Sequence, residues 1–192
     1  SEEKFEYLSK WIPASINTLI TIDIYKITNS PAWSSISETI KEKFGSYLGS
    51  QNLDIKHDIG MISFFAETDS VNTIKGPVIL IQGGFNQDLI ISRIKDSALK
   101  ENLPLGSEKY KNFEIYYESV KEDEEDPIAF TALGDGVIAL GKVKNIKWLL
   151  DNGEQKNGML SPFIGDIDQT TPIWGKLAID DKLKEALPEP WN

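Results

Sequence analysis

The chain of 192 residues contains no cysteine. Disulfides, thiolate nucleophiles and cysteine-ligated zinc are therefore excluded. The compartment stays open, since cytosolic and exported bacterial proteins alike can lack cysteine. Histidine occurs once, as His57. A multi-histidine metal site within one chain is impossible, and a Ser-His-Asp arrangement would have to run through that residue. No G-x-S-x-G elbow accompanies it. Its setting, "DIKHDIG" beside Asp54 and Asp58, is polar and reads as surface. Basic residues are also scarce: 20 Lys and Arg stand against 30 Asp and Glu, a formal net charge of −10. Phosphate backbones and anionic membrane surfaces repel such a chain, so nucleic acid is not an expected partner. No apolar run reaches about 18 residues, the length of a membrane-spanning helix.

What is present is enough for a core. Hydrophobic residues make up 40% and aromatics 10% of the chain, which argues for one folded domain over residues 1–192 and against disorder. The chain starts abruptly at "SEEKFEYLSKWIP", as a mature or trimmed protein would. An export signal or lipid anchor ahead of residue 1 is compatible with that start.

Hydrophobic spacing assigns the elements. Phe5, Leu8, Trp11 and Ile12 recur at helical spacing up to Pro13. "NTLITIDIYKI" alternates, with Ile20, Ile22 and Ile24 on one face and Thr21, Asp23 and Tyr25 on the other. Ser30-Pro31 opens a helix whose stripe is Trp33, Ile36, Ile40 and Phe44, closed by Gly45. "GMISFFAE" places Ile62, Phe64 and Ala66 on one face, and "GPVILIQ" is apolar on both, as in a central strand. A helix capped by Asn86 follows, then "NFEIYYES" alternates. Asp135-Gly136 joins two strands, since this dipeptide favours the two-residue hairpin turn. "KNIKWLLDNG" is a helix stopped by Gly153. "SPFIGDI" is another Ser-Pro helix start, "TPIWGKLAI" a last strand and "DDKLKEALPEP" a terminal helix.

The order β-α-β-β-α-β matches the ferredoxin-like arrangement. A shift of 58 residues brings Gly83 onto Gly141, Phe85 onto Val143 and Ile115 onto Ile173. The expected fold is therefore α+β, a mainly antiparallel sheet with helices largely on one face. It is built from two ferredoxin-like units, duplicated over residues 13–120 and 121–192.

"WIPASINTLITIDIYKITNSPAW", "ILIQGGFNQDLI", "NFEIYY" and "LGDGVIALGKVKNIKWLLD" together resemble a group of uncharacterised bacterial envelope proteins. The resemblance spans roughly residues 10 to 180, and its motifs are structural corners. It implies export, often as a lipoprotein or membrane-tethered domain, and carries no catalytic residues or established activity.

Three kinds of residue are candidates for chemistry. Gly83-Gly84 sits where an apolar strand meets a helix and can present amides to an anion. It lacks the Lys and Ser/Thr of a Walker loop and the G-x-G-x-x-G of a dinucleotide site. The acidic run Lys121 to Asp126 has no EF-hand order and reads as a solvated loop. Asp23, Asp180 and Asp181 stand on or at the ends of strands. The aromatic side chains Tyr25, Tyr116 and Trp174 can line an open sheet face for a hydrophobic or protein ligand, with burial beneath a helix as the competing reading. No cofactor and no metal site is expected. The leading functional expectation is a non-enzymatic, extracytoplasmic binding or structural module of the bacterial cell envelope. A carboxylate- or metal-dependent hydrolase is one alternative. The other is an interaction domain that dimerises through an exposed sheet edge.

Overall fold

The computed structural model describes residues 2–31, 33–34, 37–38, 42, 55–70, 73–100, 102, 105–118, 126–153 and 170–177. The stripe residues Ile36, Ile40 and Phe44, the closing Gly45, residues 121–125, the helix starts at 161 and 181, Asp180, Asp181 and Trp191 lie outside them.

Among the described residues, eight strands form one antiparallel sheet: β1 (Thr18–Asp23), β2 (Ile59–Ser70), β3 (Thr73–Gly83), β4 (Leu105–Tyr110), β5 (Phe113–Glu118), β6 (Ile128–Gly134), β7 (Val137–Lys142) and β8 (Ile173–Leu177). Their order across the sheet is β4-β5-β6-β7-β3-β2-β1-β8. The helices that accompany it there are α1 (Glu2–Ser9), α2 (Ile24–Thr28), α3 (Ile55–Asp58), α4 (Gln87–Lys100) and α5 (Val143–Asn152). The class is α+β.

The central strand β3 shows why the sheet is covered on both sides. Side chains alternate along a strand. Val78 and Leu80 join one apolar cluster, while Ile81, with Ile79 against it, joins the other. The first cluster takes Phe5 and Leu8 of α1 and Ile146, Leu149 and Leu150 of α5. The second takes Ile24 and Ile27 of α2 and Ile90 and Ile94 of α4. Helices thus pack on both faces, which corrects the expectation of one helical face. The reason is visible in β3, β7 and β2, which are apolar on both sides and need cover on both. The ferredoxin-like strand order does not form either. β1 lies beside β2 in a β1-β2-β3 meander, whereas a ferredoxin-like unit would set β1 against β3.

Local chemistry fixes the corners. Asp135 and Gly136 have φ of 51° and 71°, the left-handed pair that a two-residue hairpin needs. Asn86 caps α4 through Oδ1, which accepts the Leu89 N–H at 3.0 Å. The Gln87 side chain then donates to the Val137 carbonyl at 2.7 Å, tying the start of α4 to the β6–β7 hairpin. Asn145 is buried on α5. Its Oδ1 accepts the Gly76 N–H and its side-chain nitrogen donates to the Pro77 carbonyl, each at 3.3 Å, so α5 is pinned to the start of β3. Asp126 Oδ1 accepts the Lys144 N–H at 3.1 Å, satisfying the first turn of α5 from outside the helix.

Candidate functional site

The sequence candidates separate in space. Asp23 ends β1 and caps α2, its Oδ1 accepting the Lys26 N–H at 3.1 Å. The chain therefore turns helical one residue before Tyr25, which stands on α2 and is 64% exposed. Tyr116 lies on β5 on the face of α4. It stacks on Phe130 with ring centroids 5.2 Å apart, under the Lys95 ammonium at 4.1 Å. Trp174 lies on β8 on the opposite face, 6% exposed, its ring edge-to-face with Phe5 of α1 at 4.8 Å. Tyr116 and Trp174 are also six strand positions apart, about 29 Å at the usual spacing. Tyr25, Tyr116 and Trp174 do not line one surface, which corrects that grouping. The physical reason is the Asp23 cap for Tyr25 and the cover of α1 for Trp174.

Gly83 and Gly84 form a tight corner. The Gly83 N–H donates to the Gly136 carbonyl at 3.0 Å, and the Gly84 N–H donates to the Asp58 carbonyl at 3.1 Å. Both amides are satisfied by protein oxygens, so neither offers the anion contact that the sequence suggested. Gly83 is required for closeness: a Cβ there would run into the Asp58 carbonyl and the Phe85 ring. A Cβ on Gly136 would strike the Gly83 carbonyl in turn. His57 is exposed on α3. Among the described residues, no group of three or more His, Asp or Glu is placed to hold a metal ion. Gln82 Oε1 is buried beside this corner with no hydrogen bond among the described residues.

One region gathers features that packing alone does not use. β8 pairs with β1, Ile22 facing Ile173, Ile20 facing Gly175 and Thr18 facing Leu177. Towards α1 this end is sealed. Leu19, Thr21 and Trp174 are buried, and Thr21 Oγ1 bonds Ser63 Oγ at 2.9 Å, so the hydroxyl pair is satisfied inside. The other face is open. Ile20 is 47% exposed, Ile173 48% and Leu177 53%. The half-buried Phe64 and Ile22 lie beside them. Three large aliphatic side chains meeting on one surface differ from scattered exposed residues, which need no explanation.

The backbone adds a second feature. The Asp23 N–H donates to the Pro172 carbonyl at 2.8 Å. In an antiparallel ladder, bonded and non-bonded pairs alternate. Residues 172, 174 and 176 therefore direct their backbone groups to β1. Ile173, Gly175 and Leu177 direct theirs away, along the outer edge. β8 is the last strand of the sheet among the described residues. The site is thus an apolar strip flanked by outward donors and acceptors, a surface suited to binding an extended chain or an apolar group.

Sequence reasoning missed this site because it ranked aromatics. The available signal was the alternation of Ile173, Gly175 and Leu177 around Trp174 and Lys176. Comparison of the chain with protein-family models, with curated proteins and with solved structures gave no match.

Proposed function

We propose that the protein is a non-catalytic binding module that engages an apolar or protein ligand through the β1–β8 end of its sheet. The observation that carries this reading is the exposure of Ile20, Ile173 and Leu177 on one surface beside an outward-facing strand edge. Burying apolar surface is worth about 25 cal/mol per Å², so a partner covering three aliphatic side chains gains several kcal/mol before the costs of association. Acidic side chains support the same reading. Asp23 and Asp126 act as helix caps, and Glu108 and Asp151 hold lysines, which are structural roles.

The resemblance to bacterial envelope proteins favours an extracytoplasmic setting, with a membrane tether among the arrangements it implies. Cell fractionation tests it: recovery in the periplasmic or envelope fraction agrees, and recovery in the cytosol alone contradicts it.

The same reading takes the chain as a duplication. The sheet order supports it, because β5-β6-β7 and β3-β2-β1 are two meanders back to back. Each half has three meander strands, then a helix and a fourth strand that crosses to the outer side of the other meander; the first half adds α2 and α3 between β1 and β2. A division ahead of β5, at the Lys111-Asn112 turn, would make the two meanders equivalent, whereas the units expected from the sequence are residues 13–120 and 121–192.

Nile red, an uncharged apolar dye, tests the binding surface. Its fluorescence should rise with the native protein and fall on Ile20→Lys and Ile173→Lys at unchanged unfolding midpoints. Equal fluorescence from all three would contradict the assignment. So would hydrolysis of ester, glycoside or phosphate substrates that is lost on Asp23→Asn.

A further inference from the structure

The β8 edge carries its own complement. Ile173 and Leu177 stand two residues either side of Gly175, on the same face, and all three direct their backbone groups outward. Reverse the strand about Gly175 and the pattern falls on itself. Ile173 meets Leu177, Gly175 meets Gly175 and Leu177 meets Ile173.

The geometry points to a second copy of this chain as the partner, bound by antiparallel pairing of β8 with β8 and centred on Gly175. This inference rests on the β1–β8 end being the binding surface. The homotypic register is favoured on four counts.

First, it brings outward residues only against outward residues. The three in each strand form about six backbone hydrogen bonds, the Ile173 carbonyl taking its strand donor as a second bond beside the one it already accepts from the Thr171 hydroxyl at 2.8 Å. A register displaced by two residues leaves one outward residue of each copy unmatched. Second, side chains in directly opposed antiparallel positions lie about 4.5–5.5 Å apart, within contact for Ile and Leu. The exposed pair Ile173–Leu177 is thus closed twice over, once on each side of the axis. Third, the centre holds a residue with no side chain, so no group stands between the two Ile173–Leu177 pairs on either side of the axis. Gly175 is glycine for a local reason too, since a Cβ would press on the Leu19 carbonyl and the Ile20 backbone. Fourth, a two-fold pairing places the same patch on both partners, as closed symmetric dimers require. Trp174 and Lys176 point to the other face, where each would oppose the other's counterpart, aromatic edge against lysine stem.

The opposite edge lacks these features. β4 carries Glu108 and Lys109, and its exposed positions are polar. Charged edges oppose strand addition.

The absence of cysteine gives a clean test. In the proposed register residue 173 of one copy faces residue 177 of the other, inside the Cα separation that a disulfide spans. Two copies of residue 173 would be separated along the strand by four residues, about 13 Å, well beyond it. Ile173→Cys and Leu177→Cys proteins are prepared singly, mixed and oxidised, alongside each alone. The expected result is a covalent dimer on a non-reducing gel from the mixture, and monomer from either variant alone. Dimer from each variant alone, in equal yield, would overturn the register.

Sedimentation velocity of the unmodified protein over a wide concentration range tests association itself. A concentration-dependent dimer is expected. It should be lost in the double variant Ile173→Lys with Leu177→Lys, where like charges face across the axis. It should be kept in Ile173→Lys with Leu177→Glu, where each introduced ammonium faces an introduced carboxylate of the other copy. Monomer at every concentration, with Nile red binding intact, would overturn the pairing and leave the binding surface standing. Monomer with no dye binding would overturn both. Circular dichroism melts of the variants exclude loss of fold, because both substituted positions are exposed.

Discussion

The two edges of the sheet are built differently. β4 is fastened to α5. Glu108 pairs with Lys147 at 2.8 Å. At the strand end, Tyr110 donates to both oxygens of Asp151 at 3.1 and 3.0 Å, and just past it Lys111 reaches Asp151 at 2.7 Å and the Leu150 carbonyl at 2.9 Å. Polar side chains hold that edge at the surface and leave no apolar strip on it. β8 is fastened from beneath by Trp174 and shows aliphatic side chains above. Both edges are anchored, but only one is shaped for addition of another strand. A strand edge is blunted by charge, and the sequence places that charge on β4 and withholds it from the exposed face of β8.

The largest effect is expected from the anchor of β8. Trp174→Ala removes a buried ring that packs on Phe5 and should cost about 3–5 kcal/mol in denaturant unfolding. A loss below about 1 kcal/mol would mean that β8 is not held by the first cluster, and the contrast between its faces would fail. Next is the anchor of α5, on which the β4 edge depends. Asn145→Ala leaves the Gly76 N–H and Pro77 carbonyl unsatisfied and should cost about 1–3 kcal/mol, read in the same way. A neutral result would separate α5 from the sheet's support.

On the open face the expectation is reversed. Ile173→Lys and Leu177→Lys should alter unfolding free energy by no more than about 0.5 kcal/mol, as exposed substitutions do, while abolishing association. Large destabilisation would show those side chains to be part of the core.

The smallest effect concerns pH at the β4 edge. The Lys111 ammonium holds the Asp151 carboxyl below its usual range, aided by the Tyr110 hydroxyl. The hydrogen bond to Asp151, with lesser contributions from burial and from that carboxylate's charge, pushes the Tyr110 hydroxyl up. A depressed carboxyl stabilises the fold above its unfolded value, and that stabilisation fades as pH falls through the folded one. A raised tyrosine stabilises below its ordinary value and fades as pH rises through the folded one. The clamp is therefore fully present between the acidic and alkaline limbs. Unfolding midpoints of the native protein and Asp151→Asn should differ slightly at neutral pH and converge in acid. Convergence at neutral pH instead would remove the clamp from the comparison.

Much of the scaffold was legible because the signals were local. Asp135-Gly136, Asn86 and Gly153 act within a few residues, so their spacing announces the hairpin, the cap and the helix end. Gly83 reads as a corner from sequence, although its role as a contact point for Asp58 and Gly136 needs three dimensions. The face of β1 misleads on alternation alone. Three isoleucines against Thr21 and Asp23 suggest an apolar inner face, yet Thr21 and Asp23 are buried and Ile20 is half exposed. Thr21 finds Ser63, and Asp23 finds the start of α2, partners that alternation cannot show. β4 escapes notice because "LGSEKY" has no apolar alternation; its pairing with β5 makes it a strand. The candidate site was legible only as the alternation of Ile173, Gly175 and Leu177, which does not show which face is left open. Trp174 draws attention by its size, while its small and aliphatic neighbours carry the open edge.

Amide hydrogen exchange tests the central contrast most directly, since it reads both edges in one experiment. The account predicts that the Ile173, Gly175 and Leu177 amides exchange quickly in dilute protein and become protected as concentration rises, while the amides of β4 keep one rate throughout. Concentration-independent exchange at Ile173, Gly175 and Leu177, or equal protection gained on β4, would contradict it.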